Sequence, residues 1–271
     1  MTLETYGADV HLTAIILMAT AGLCYMAAAW LRWRQMALSD ERTSAHLVPL
    51  WLGLTLHSVS LVLSLLNPGQ RDFAYGVLAV WAAVAGLFFV SRYLASPSRT
   101  ILVLPIGGMA LLVAMAELAN GESAPPTTGT PWITRVHVGF MALHLAVMLV
   151  SGAAGGMYLT AVRQLKSPSP RTLRLPSLPL LERLTERSLV VATALLMGGL
   201  ATGGAAMQLS RSISLAQPSI ILSLITMALL VLVLALRATG YLNRRGIAMG
   251  AVTAMIIAAL GSVSQLVVSH G

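Results

Sequence analysis

The residues of this chain best placed to do chemistry are histidines in apolar surroundings. His137 and His144 stand seven residues apart in RVHVGFMALHLAVMLV, and His57 lies in the equally apolar LGLTLHSVSLVLSL. A neutral imidazole offers one N–H donor and one lone pair, and hydrocarbon satisfies neither. Three chemistries use such groups. Axial ligation of haem iron needs a neutral imidazole beside an apolar slot. Proton relay or substrate binding in a transporter uses intramembrane ionisable groups, usually with a buried acid. A bare metal site needs several clustered His or carboxylates. No carboxylate is expected deep in a helix, Glu117 being near an outer end, so haem ligation is favoured. The plainer reading is structural: each imidazole bonds a carbonyl or hydroxyl of an adjacent helix.

The elements that must position these residues are membrane spans. The chain has 271 residues, 57% hydrophobic and 10% charged, with a mean hydropathy of +0.82. A soluble domain carries about 25% charged residues. Apolar runs bounded by Pro, Gly and charge predict an all-α integral membrane protein, a polytopic bundle of about eight transmembrane helices forming one domain. Their expected bounds are roughly 10–31, 47–66, 73–94, 100–119, 133–162, 188–208, 219–241 and 246–268, most near the ~20 residues that cross a bilayer and the fifth longer than needed. The opening MTLETYGADVH has no Lys or Arg, so the first run is expected to be a retained helix and not a cleaved signal. Near 177–187, Leu180, Leu181 and Leu184 alternate with Glu182, Arg183, Glu186 and Arg187, which predicts a short amphipathic helix on the inner interface running into helix six.

Charge sets the expected direction. Fourteen of the 17 Lys and Arg residues fall in one set of connections, against Arg71, Arg135 and Arg211 in the other. The first set is cytoplasmic by the positive-inside rule, so both termini face outside a bacterial inner membrane. The net charge of +8 then reflects topology and attraction to anionic lipid, and no nucleic-acid partner is expected. The single cysteine, Cys24, excludes an intrachain disulfide and a Cys-based metal cage. No nucleophile with an adjacent base is found, so an enzyme is not expected. Gly152/Gly156, Gly199/Gly203 and Gly246/Gly250 have the spacing that lets helix backbones approach closely.

Within these spans the helical rise puts His57 about 14 Å, His144 about 16 Å and His137 about 6 Å below the outer surface. His137 and His144 share one helix face about 10 Å apart, too far to bind a single ion, so each needs a partner on another helix. His57 matches His144 in depth, and His270, at the outer end of the last helix, approaches His137. These four are the candidate axial ligands. Arg71 and Arg135 begin the helices at the outer side, placed to pair with haem propionates or to snorkel at the interface.

The segments LPSLPLLERLTERSLVVATALLMGGLATGGA and WITRVHVGFMALHLAV, together with those around His57 and in LNRRGIAMGAVTAMIIAAL, resemble the cytochrome c assembly protein family. The likeness is nearer to its HemX-like and YpjD-like branch of eight-helix inner-membrane proteins. It implies a haem-handling protein, with haem b as cofactor and other cytochrome c maturation proteins as partners. It places His137 near the first and His270 near the second outer-face haem histidine of the family. The tryptophan-rich haem-presenting segment does not follow helix six, where this chain reads AAMQLSRSISLAQPSIILSL. The expected function is therefore non-catalytic haem binding or trafficking in cytochrome c maturation or haem homeostasis. The alternatives are a cofactor-free membrane scaffold or assembly factor and, behind it, a small-molecule transporter.

Overall fold

A computed structural model of the chain describes residues 3–37, 44–66, 71–91, 100, 103–120, 132–166, 175–210 and 217–268. Among these residues the regular structure is entirely helical: α1 (Leu3–Ala37), α2 (Leu47–Leu66), α3 (Arg71–Ser91), α4 (Leu104–Asn120), α5 (Trp132–Leu165), α6 (Leu178–Ser210), α7 (Pro218–Ala238) and α8 (Arg244–Val268). Six contain stretches long and apolar enough to cross a bilayer: Asp9–Gln35, Leu47–Leu66, Trp132–Leu165, Leu178–Met207, Pro218–Ala238 and Arg244–Ser264. The apolar stretches of α3 and α4, Phe73–Ala85 and Leu104–Met115, are shorter. Such a set marks a multi-pass membrane protein.

The faces that the helices bury support this. On α2 the buried residues are Leu50, Gly53, His57, Ser60 and Ser64. The larger Val48, Trp51, Val59, Val62 and Leu66 point outward. In water this arrangement would expose the apolar face and bury the polar one. Next to lipid it is favourable, because hydrocarbon accepts Leu and Val while small and polar residues pack helix against helix. On α7, likewise, Thr226, Leu230 and Val233 face inward while Ile221, Leu224, Ile225 and Leu232 face out.

The helices pack as two groups. In the first, α1 lies against α2 and α4, and α3 against α2 and α4; in the second, α5 lies against α6 and α8, and α7 against α8 and α6. The groups join where α3 meets α5 and where α4 meets α8. Helix α2 therefore sits on the far side of α3 from α5. One cluster of buried side chains, including Met18, Tyr25, Phe73, Ile106 and Leu149, fills the first group and its junction with α5. A smaller one around Met148, Leu189, Leu196 and Leu230 fills the second.

The stretch near 177–187, expected to be a short amphipathic helix running into helix six, forms the first turns of an unbroken α6. Leu181 and Thr185 are buried there, and the Glu182 carboxylate pairs with Arg244 at 3.0 Å and Arg237 at 3.6 Å at the end of the bundle. With no glycine or proline between Glu182 and Ser188, nothing breaks the helix. The glycine contacts differ from the spacing expected. On α5 the close approach to α8 uses Gly152 and Gly155, where an added Cβ would meet Met255 and the Ala248 carbonyl oxygen; one at Gly156 would meet nothing within 4 Å.

Candidate functional site

The histidines of the inner face of α5 form a regular series. The Nδ1 of His137 lies 2.7 Å from the Gly199 carbonyl oxygen of α6, and the Nδ1 of His144 lies 2.9 Å from that of Ala192. Seven residues further along α5, the Ser151 hydroxyl donates to the Thr185 carbonyl at 3.3 Å. Each step of seven up α5 is matched by a step of seven down α6, so the two helices run antiparallel with a heptad register. A helical carbonyl keeps a second lone pair after accepting its own i+4 N–H, and the ladder uses that lone pair.

The carbonyls fix the tautomers. Because a carbonyl only accepts, Nδ1 carries the proton in both His137 and His144, and Nε2 is left with the lone pair. His144 is buried, whereas His137, nearer the start of α5, is only part-buried. Gly203 of α6 makes room for the His137 ring, since a Cβ there would stand 2.8 Å from its Cε1, whereas Gly199 makes room for the Met141 thioether.

His57 belongs to a different site. Its Nε2 donates to the Val77 carbonyl of α3 at 3.0 Å, and its Nδ1 accepts from the Tyr25 hydroxyl of α1 at 3.2 Å. The ring is fully buried and both nitrogens are engaged. Gly53, one turn earlier, admits the Tyr25 ring, where a Cβ would be 3.0 Å away. Ser60 extends the contact by donating to the Ala14 carbonyl at 2.7 Å, and Trp81 donates to Ser58 at 3.1 Å. Polar side chains thereby stitch α2 to α1 and α3.

His57 is consequently not brought together with His137 or His144, despite its similar expected depth. Depth is set along each helix, but partnership is set by neighbours, and α2 has no substantial packing against α5 or α6. His270 lies outside the described residues, as do the side chains of Arg71 and Arg135, although both arginines are placed on the first turns of α3 and α5.

Two polar groups were not legible in the sequence. Glu117 of α4, expected near an outer end, is buried, and its Oε1 lies 3.2 Å from Nε2 of His11 on α1. The His11 ring also meets Phe73 of α3 edge-on, with centroids 5.8 Å apart. The expectation that no buried acid is available is thereby corrected: the deciding factor is that α1, α3 and α4 converge there. At the opposite end, Nδ1 of His46 lies 2.9 Å from Oε1 of Gln35, which also accepts from the buried Arg32 at 3.4 Å. Burial, and then the Arg32 charge, push His46 below its ordinary pKa.

The donor set can be tested against haem. An axial imidazole needs an available Nε2 and a partner for its other ring N–H. His57 has no lone pair left and does not fit. His144 has the right tautomer but lies buried in the α5–α6 contact. His137 fits, with Nδ1–H anchored on Gly199 and a part-buried ring. Among the described residues no cluster of three or more His, Cys, Asp or Glu could hold a bare metal ion. No protein-family model, curated protein or solved structure matches the chain.

Proposed function

We propose that this chain is a non-catalytic membrane protein that handles haem b, with His137 as iron ligand, in support of cytochrome c maturation or haem homeostasis. The observation that carries this reading is the orientation of His137, whose Nδ1–H is held by the Gly199 carbonyl at 2.7 Å so that Nε2 keeps its lone pair. When bound, haem supplies the iron that accepts that lone pair. In this reading all eight helices cross a bacterial inner membrane, α3 and α4 included, with both termini outside. The distribution of Lys and Arg supports the orientation. Arg135, two residues before His137, and Arg71, at the start of α3, are the proposed partners of the propionates. His270 is the proposed second ligand by family likeness, and His57 is withdrawn from the ligand set.

The test is purification in detergent, haem titration and a reduced-minus-oxidised spectrum. The wild type should give a Soret shift that His137→Ala abolishes. Ser151→Ala, a change on the same ladder at a residue unable to ligate iron, should retain it. A wild type without a shift, or a His137→Ala variant that binds as well as the wild type, overturns the proposal.

A second reading, a cofactor-free scaffold, is favoured by Ser151 itself. A serine makes the third contact of the same ladder, so helix packing alone accounts for the pattern. His137→Asn separates the two readings, since an amide still donates to the Gly199 carbonyl but does not replace imidazole on iron. A scaffold keeps its cytochrome c phenotype in this variant, and a haem carrier loses it.

A further inference from the structure

We propose that a groove between the end of α5 and the start of α8 binds the headgroup of an anionic phospholipid, with the acyl chains lying along its apolar wall. The groove holds roughly 400 Å³ and is lined at one end by Arg163, Lys166 and Arg245. Leu159, Val162 and Met249 continue it toward the middle of the bundle. The sequence spacing produces this polarity. Leu159 lies one turn before Arg163, Val162 one turn before Lys166, and Met249 one turn after Arg245, so each cation has an apolar residue about 6 Å deeper on the same face.

Among the described residues nothing neutralises the charges in the groove. Among the described residues Arg163, Lys166 and Arg245 make no ion pair, although acids stand close by on α6. Glu182 and Glu186 are taken by Arg237 and Arg244, at 3.0 to 3.6 Å. Three exposed cations around one concavity suit an anionic ligand. A phosphodiester fits as a compact anion with several acceptor oxygens, and Arg forks bind such groups well.

The apolar wall selects the source of that phosphate. Met249 is 53% exposed, and a free phosphate ion would leave it uncovered. A glycerophospholipid meets both halves of the groove at once. Basic pockets at the ends of membrane helices are suited to such headgroups. The site is independent of the haem reading and requires only that α5 and α8 border lipid.

The test uses the full chain, delipidated in detergent and examined by native mass spectrometry. It is titrated with phosphatidylglycerol, phosphatidylcholine or inorganic phosphate. One phosphatidylglycerol should be retained at least tenfold more tightly than phosphatidylcholine, and millimolar inorganic phosphate should not displace it. The triple variant Arg163→Gln, Lys166→Gln and Arg245→Gln should lose that preference. A variant of equal charge loss outside the groove, Arg34→Gln, Arg183→Gln and Arg187→Gln, should keep it. Equal retention of the two lipids by the wild type overturns the proposal, as does equal loss in both triple variants or displacement by inorganic phosphate. The wild-type comparison decides the matter even where the groove variant fails to fold.

Discussion

Gly22 of α1 and Gly107 of α4 face each other so closely that a Cβ on either would lie 2.9 Å from the other's carbonyl oxygen. The contact is backbone against backbone, so no side chain can move aside. Alanine at Gly107 would gain about 1 kcal/mol in helix propensity, but overpacking costs about 1–3 kcal/mol. Gly107→Ala should therefore melt lower than the wild type. The neighbouring Gly108→Ala, whose Cβ meets nothing within 4 Å, should melt the same or higher. Equal melting of the two variants would contradict this packing.

The α5–α6 ladder predicts graded losses. Interhelical hydrogen bonds in membranes contribute about 0.6 kcal/mol on average, which is the expected cost of Ser151→Ala. His144→Ala removes a similar bond and leaves a cavity in a buried seam, so about 2 kcal/mol or more is expected. Unfolding titrations of both variants in mixed micelles check the order, and a His144→Ala variant as stable as Ser151→Ala would refute it.

The Gly203 site tests the seating of His137. A Cβ there would fall 2.8 Å from the ring, against 2.7 Å from the Met141 sulfur for one at Gly199. A thioether at the end of a flexible chain can turn away, and a ring held by its carbonyl cannot do so without losing the bond. Under the haem proposal, Gly203→Ala should weaken binding more than Gly199→Ala, as read from the Soret titration.

The His11–Glu117 contact predicts coupling across α1 and α4. Removing either partner takes away a buried polar contact, at a cost of about 1–3 kcal/mol. His11→Ala and Glu117→Ala should each destabilise the protein, and the double variant should lose clearly less than the two effects combined. Strict additivity in this thermodynamic cycle would exclude the pair.

His46 predicts a pH dependence. Its pKa is lowered in the folded protein, first by burial and then by Arg32, so below its ordinary value near 6.5 the unfolded chain binds the extra proton more readily. The contribution is present above that value and is lost as pH falls through the lowered pKa. Melting temperature should fall from pH 7 to pH 5, and His46→Gln should flatten that slope. An unchanged slope in the variant would remove His46 as its cause.

The helical class and the main apolar segments could be read from the chain because the bilayer constrains each segment separately. A run such as PSIILSLITMALLVLVLALRA must satisfy its own backbone hydrogen bonds and present apolar side chains to lipid, whatever its neighbours are. The positions of His137 and His144 on one face followed equally from local helical geometry. Their partners did not. With lipid as apolar as leucine, no hydrophobic gradient tells a helix which side to turn inward or which helix to join. That choice rests on how surfaces fit, as where Gly53 admits Tyr25, Gly203 admits His137, and α1 and α4 close on each other through Gly22 and Gly107. Helix pairing joined His57 to Tyr25 and Val77 and away from His144, and it brought Glu117 to His11 from far along the chain. Such contacts depend on the shapes of two distant segments together, and neither segment carries that information alone.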